Sequence, residues 1–149
     1  MMRLCSTMLL LAALGGRLAA QDTTKHPDTS AAKPAAAAPA APAAGLAADA
    51  VVTRGLNGHD PQDTLTTVPT DVGQLYLWSR ISGASGQAIH HVWFHGDTQV
   101  ADVTLQVGGS PWRTWSRKTI PADWTGAWHV EVRDANGAVL KRIDFTVGS

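Results

Sequence analysis

Trp112, Arg113, Trp115, Arg117 and Lys118 all fall within the nine-residue stretch SPWRTWSRK. Their types are those of recognition. On a regular strand, side chains alternate between faces. Trp112, Thr114, Ser116, Lys118 and Ile120 then share one face, and Arg113, Trp115, Arg117 and Thr119 the other. Trp112 and Ile120, at the ends of their face, suit a core. Trp115 stands between two arginines on the opposite face, where guanidinium–indole attraction contributes about 0.5–2 kcal/mol. This predicts a stacking platform of Arg113, Trp115 and Arg117 with Lys118 beside it, suited to a sugar ring, a glycan or a partner protein. The competing reading is an edge cover in which the arginine stems shield the ring. A bulge after Pro111 would exchange the buried and exposed tryptophans.

Turnover chemistry has weaker support. Nucleophilic catalysis needs a Ser, Cys or Thr with a base and an orienting acid. Ser116 and several histidines are present, but no nucleophile-elbow motif surrounds any serine. The acids Asp97, Asp123 and Asp134 sit in turn-like contexts, not as a cleft pair. Gly108-Gly109 lacks the lysine and helix of a phosphate loop. A hydrolase using Ser116 and a histidine is therefore the least favoured function, and no cofactor is expected.

The histidines pass only part of a metal test. His90 and His91 point to opposite faces of a strand, whereas His91 and His95 share a face but stand about 13 Å apart. His90 and His129 would meet as a second outward patch if their strands are neighbours. Two imidazoles without a thiolate or carboxylate make a poor site, so no metal is expected. His91, next but one to Trp93, is expected to be hydrogen-bonded and partly buried.

The elements that must position these residues read as strands. WHVEVRD puts Trp128, Val130 and Val132 on one face and His129, Glu131 and Arg133 on the other; VTLQV and IDFTV repeat that period of two. QLYLWSRI and AIHHVWFH are apolar and aromatic. DANG at 134–137 and HGD at 95–97 are hairpin signals. The pattern predicts strands at 50–56, 74–82, 88–95, 99–107, 112–120, 126–134 and 138–147, and no amphipathic helix. Seven short strands in about 100 residues indicate an all-β, immunoglobulin-like sandwich, with a small closed barrel as the alternative.

Residues 1–20 read as a secretory signal: Arg3, an apolar run from Met8 to Leu14, and Leu18-Ala19-Ala20 before Gln21. The apolar run is about half the length needed to span a bilayer. The mature chain is therefore expected to begin near Gln21, outside the cytoplasm and without a membrane span. Cys5, the single cysteine, precedes the apolar run and is badly placed for lipidation. Residues 21–49 are rich in Ala and Pro, with Pro34, Pro39 and Pro42 opposing any long helix. They are expected to form a disordered spacer before a domain at 50–149. In that domain eight lysines and arginines face nine acids. This is not the positive excess of a nucleic-acid or anionic-membrane binder.

The order His91-x-Trp93, VTLQVGG with PWRTWSRK, TGAWHVEVRDANGAVL and a final IDFTV resembles the bacterial family catalogued as domain of unknown function 2914. The resemblance spans roughly 50–149. Its most specific parts are Trp112-Arg113-x-Trp115-Ser116-x-Lys118 and Gly126-x-Trp128-x-Val130-x-Val132-x-Asp134. It implies an extracytoplasmic β domain and assigns no reaction. The combined expectation is a periplasmic or secreted non-catalytic module that binds an envelope protein or carbohydrate. A structural accessory subunit of an envelope complex is the alternative.

Overall fold

The structure, a computed structural model, describes residues 41–148. The expected signal segment, the Gln21 boundary and most of the expected spacer lie outside these residues. The described chain is all-β, with no helix. Its strands are β1 (Ala47–Thr53), β2 (Leu56–Asn57), β3 (Asp60–Pro61), β4 (Thr67–Val68), β5 (Gln74–Ser82), β6 (Ala88–His95), β7 (Thr98–Gln106), β8 (Trp112–Thr119), β9 (Gly126–Asp134) and β10 (Val139–Val147).

The expected strands at 74–82, 88–95 and 126–134 coincide with β5, β6 and β9. The first strand begins at Ala47 instead of 50. Ala47, Ala48 and Asp49 pair with Ser82, Ile81 and Arg80. Alanines have little intrinsic strand preference, so pairing with β5 draws the end of the Ala-rich stretch into the sheet. The short strands β2, β3 and β4 carry no period-two signal, and the sequence pattern did not indicate them.

Two sheets enclose one core. One has the order β1-β5-β8, the other β4-β10-β9-β6-β7. All pairings within them are antiparallel except β4 with β10. The smaller sheet contributes Val52, Leu75, Leu77 and Ile81; the larger contributes Ile89, Trp93, Trp128, Val130, Val132, Phe145 and Val147. Trp93 meets Phe145 edge-on at 6.4 Å, and Trp128 stacks on Phe145 at 6.0 Å. Burying rings of this size supplies several kcal/mol of the driving force.

The DANG turn forms as expected. The Asp134 carboxylate accepts the backbone N–H groups of Asn136 and Ala138 at 2.8 and 2.9 Å, which satisfies a buried acid and closes the β9–β10 hairpin. In the loop between β5 and β6, Gly83 has φ +80°, and a Cβ there would stand 2.1 Å from the Gly45 carbonyl oxygen. Only glycine lets the chain entering β1 pass this close.

A polar bridge crosses the core. His91 is fully buried, with Nε2 2.9 Å from Ser79 Oγ and Nδ1 2.9 Å from Ser116 Oγ. The Trp93 indole N–H also donates to Ser116 Oγ, at 3.3 Å. A neutral imidazole has one donor and one acceptor nitrogen, so one serine donates to the ring and the other accepts. The bridge ties β6 to β5 and β8 in the opposite sheet. His91 is more deeply buried than expected, and burial lowers its pKa to about 3.

Candidate functional site: an aromatic groove at the sheet edge

β8 is the edge of the smaller sheet and β7 the edge of the larger. A groove of about 630 Å³ runs along this seam, lined by Leu105 and Gln106 from β7, Pro111 to Trp115 from β8, and His59 from the β2–β3 hairpin. Ligand sites commonly have volumes of about 300–1,000 Å³.

The hairpin is held over the outer face of the smaller sheet by polar anchors. Thr53 Oγ1 donates to Asp63 at 2.5 Å, and the Arg54 N–H donates to the same carboxylate oxygen at 3.0 Å. The Trp78 indole N–H donates to the His59 carbonyl at 2.7 Å. Trp78 lies opposite Trp115 in the sheet. The His59 ring meets Trp115 edge-on at 5.6 Å. Arg113 Nε lies 3.5 Å from Asp60 Oδ1. Trp115 is thus a half-buried wall, one side covered by the hairpin and the other turned to the groove.

Trp112 is the other wall, and here the sequence expectation is corrected. It was expected in the core. It is 39% exposed, the one large hydrophobic side chain so exposed among the described residues. It lies opposite Ile81 on the inward side of the sheet, but at the end of an edge strand, where no further strand covers it. Its ring rests on Gly108, where a Cβ would come within 2.8 Å of the indole. The expected alternation of faces holds, yet alternation does not bury a residue where the opposing sheet has ended.

The proposed platform is only partly assembled. Arg113 and Trp115 line the groove. Arg117 follows on the same outward face, exposed and opposite Tyr76, beyond the groove lining. Lys118 does not join them: its Nζ lies 5.9 Å from the centroid of Trp124. Trp124 in turn stacks on His95 at 5.3 Å. Lys118 is on the opposite face because it is one residue out of phase with Arg117.

The second expected patch does not form as a pair. β6 and β9 are neighbours and both histidines face outward, but His90 lies opposite Arg133 and His129 opposite Phe94. His90 Nδ1 is instead 2.9 Å from Asp102, and His129 stacks on Phe94 at 4.3 Å. Register separated them, and register is set by the hairpins and not by neighbourhood alone. Between them Glu131, nearly buried, receives Arg133 Nη2 at 2.5 Å and lies 3.8 Å from Arg142. Burial, then the Arg142 charge, lower the pKa of His129. A hydrogen bond from Arg142 holds the Asp144 carboxyl below the ordinary range. Among the described residues, no three His, Cys, Asp or Glu side chains gather as metal ligands.

Ser116 and His91 do converge, but 5% and 0% exposed respectively, and the third member of the bridge is Ser79. No carboxylate orients the imidazole there. The hairpin and the groove it completes were missed by the sequence reading. The available signal was His59-Asp60-Pro61 after Asn57-Gly58, a turn dipeptide.

Residues 86–147 match the family model described as protein of unknown function (DUF2914), which bears out the resemblance over that segment. No curated protein matches the chain. Among solved structures, an engineered protein from the Northeast Structural Genomics Consortium aligns at a TM-score of 0.36 and 16% identity, over 58% of this chain. The aligned region spans 18% of that structure's length.

Proposed function

We propose that this protein is a non-catalytic binding module that works outside the cytoplasm and engages an envelope protein or carbohydrate through the Trp112–Trp115 groove. The observation that carries the reading is the solvent-facing Trp112. Among the described residues it is the one large apolar side chain left exposed, and it stands beside a groove with Trp115 and Arg113. Exposed Trp and Arg clusters are common centres of binding energy. The burial of Ser116 and His91, away from any acid, supports binding over hydrolysis.

The strand orders β1-β5-β8 and β4-β10-β9-β6-β7 support an immunoglobulin-like assignment. β1, β5 and β8 take the places of strands A, B and E, while β6, β9 and β10 take those of C, F and G, and β7 extends the second sheet. Trp93 occupies the buried tryptophan position on the C-like strand. A cleaved signal at 1–20 and an Ala/Pro spacer at 21–49 complete the proposal.

The test is capture from an envelope extract by the full chain, with a glycan array as the second arm. Trp112→Ala is the separating variant. It is expected to keep its melting temperature and to lose at least about tenfold in binding, the size of a modest hot spot. Unchanged binding in both arms would remove the groove from the function.

A further inference from the structure

The groove follows an edge and not a face, and what that implies for its ligand rests on reading it as a binding site. Consecutive residues of a strand point to opposite faces. Pro111, Trp112, Arg113, Thr114 and Trp115 all line the groove, so it runs along the free edge of β8 and reaches both faces of that strand. A sugar ring stacks on one face. An extended strand laid along the edge uses both.

The backbone of β8 is open to such a strand. β8 pairs with β5 alone, and among the described residues no loop backbone group bonds to residues 112–119. Every second residue of an edge strand turns its N–H and C=O away from the sheet, as a template for pairing with another chain. Trp112 is uncovered because the smaller sheet stops at β8; one more strand at that edge would cover it.

Charge selects the kind of strand. β8 carries Arg113, Arg117 and Lys118 and no acid. Arg113 faces Asp60 at 3.5 Å, but among the described residues no acid lies within ion-pair distance of Arg117 or Lys118. A second copy of the chain is a poor occupant. β8 paired antiparallel with itself about Trp115 sets Arg113 against Arg117, and like charges directly opposite are destabilising. By the same rule, a strand with acids at those two places is favoured. β7, the other edge on the groove, holds Asp102 and no cation, so charge directs an acidic strand to β8.

We infer that the groove takes an extended acidic strand of a partner protein, which pairs with the free edge of β8, sets apolar side chains against Trp112 and places acids opposite Arg113 and Arg117. The experiment adds an end-blocked synthetic peptide of alternating valine and glutamate to the ¹⁵N-labelled full chain. The expected result is slower hydrogen exchange at alternate amides of residues 112–119 and displaced indole signals of Trp112 and Trp115, with β7 amides unchanged. A peptide with lysine in place of glutamate should bind at least about tenfold more weakly. The double variant Arg113→Glu with Arg117→Glu should reverse that preference, a result that a misfolded chain cannot give. Equal affinity for the two peptides would overturn the inference. So would protection at β7 instead of β8, or protection that rises with protein concentration in the absence of peptide and points to a second copy as occupant. Failure of both peptides to bind would overturn it as well; if Trp112→Ala nevertheless loses a glycan, the groove remains a binding site and only the strand is wrong.

Discussion

Acid should destabilise this domain through His91, and the size of the effect follows from its surroundings. The imidazole is fully buried between Ser79 and Ser116, and its folded pKa is lowered from 6.5 to about 3. The unfolded chain therefore takes up this proton more readily than the folded one. Stability from the neutral ring is complete above about pH 6.5 and is lost as the pH falls toward 3. With these values the loss is about 2 kcal/mol between pH 7 and pH 5, and on the order of 4 kcal/mol by pH 3. That is a large part of the 5–15 kcal/mol typical of a domain. The assay is urea unfolding at pH 7 and pH 5 for the unaltered chain, His91→Gln and His129→Gln. His129 is included because its lowered pKa acts in the same direction. His91→Gln should be less stable at pH 7, by about 1–3 kcal/mol, because the serine hydroxyls lose matched partners. Its further loss on going to pH 5 should be smaller than that of the unaltered chain by about 2 kcal/mol. Equal losses in the two proteins would refute the reasoning, because they would mean that the ring ionises in place or that water reaches it.

Trp112→Ala should change stability by less than about 1 kcal/mol, as surface substitutions do; a loss of several kcal/mol by denaturant titration would mean that the indole is structural. Trp128, 1% exposed, should cost about 3–5 kcal/mol when cut to alanine, seen as a much lower melting temperature. Gly83→Ala should be strongly destabilising, by at least about 2 kcal/mol, since the added carbon meets the Gly45 carbonyl; a wild-type melting curve would show that the entry to β1 can move aside. Asp63→Ala should loosen the hairpin by removing the acceptor for Thr53 and Arg54. The readout is faster hydrogen exchange at Arg54 and Gln62, with β9 amides unaffected.

The sequence alone determined the all-β class, the long strands and the two hairpins, because a period of two and turn dipeptides are local signals that survive without knowing the partner strand. It also determined that Trp128, Val130 and Val132 share the core face, since apolar and polar residues alternate from Trp128 to Arg133. The alternation of β8 was equally legible, but its consequences were not. Trp112 and Ile120 lie on one face, yet Ile120 is 2% exposed and Trp112 39%. What differs is the coverage above each residue, which depends on where the opposing sheet ends. The half-burial of Trp115 depends on a hairpin made of two-residue strands, too short to show any period. The separation of His90 from His129 depends on register across β6 and β9. The Ser79–His91–Ser116 bridge joins residues from three strands and two sheets, each unremarkable in its own segment. Faces are properties of a strand and can be read along the chain; burial, register and grooves are properties of pairs of strands and exist only once the sheets have packed.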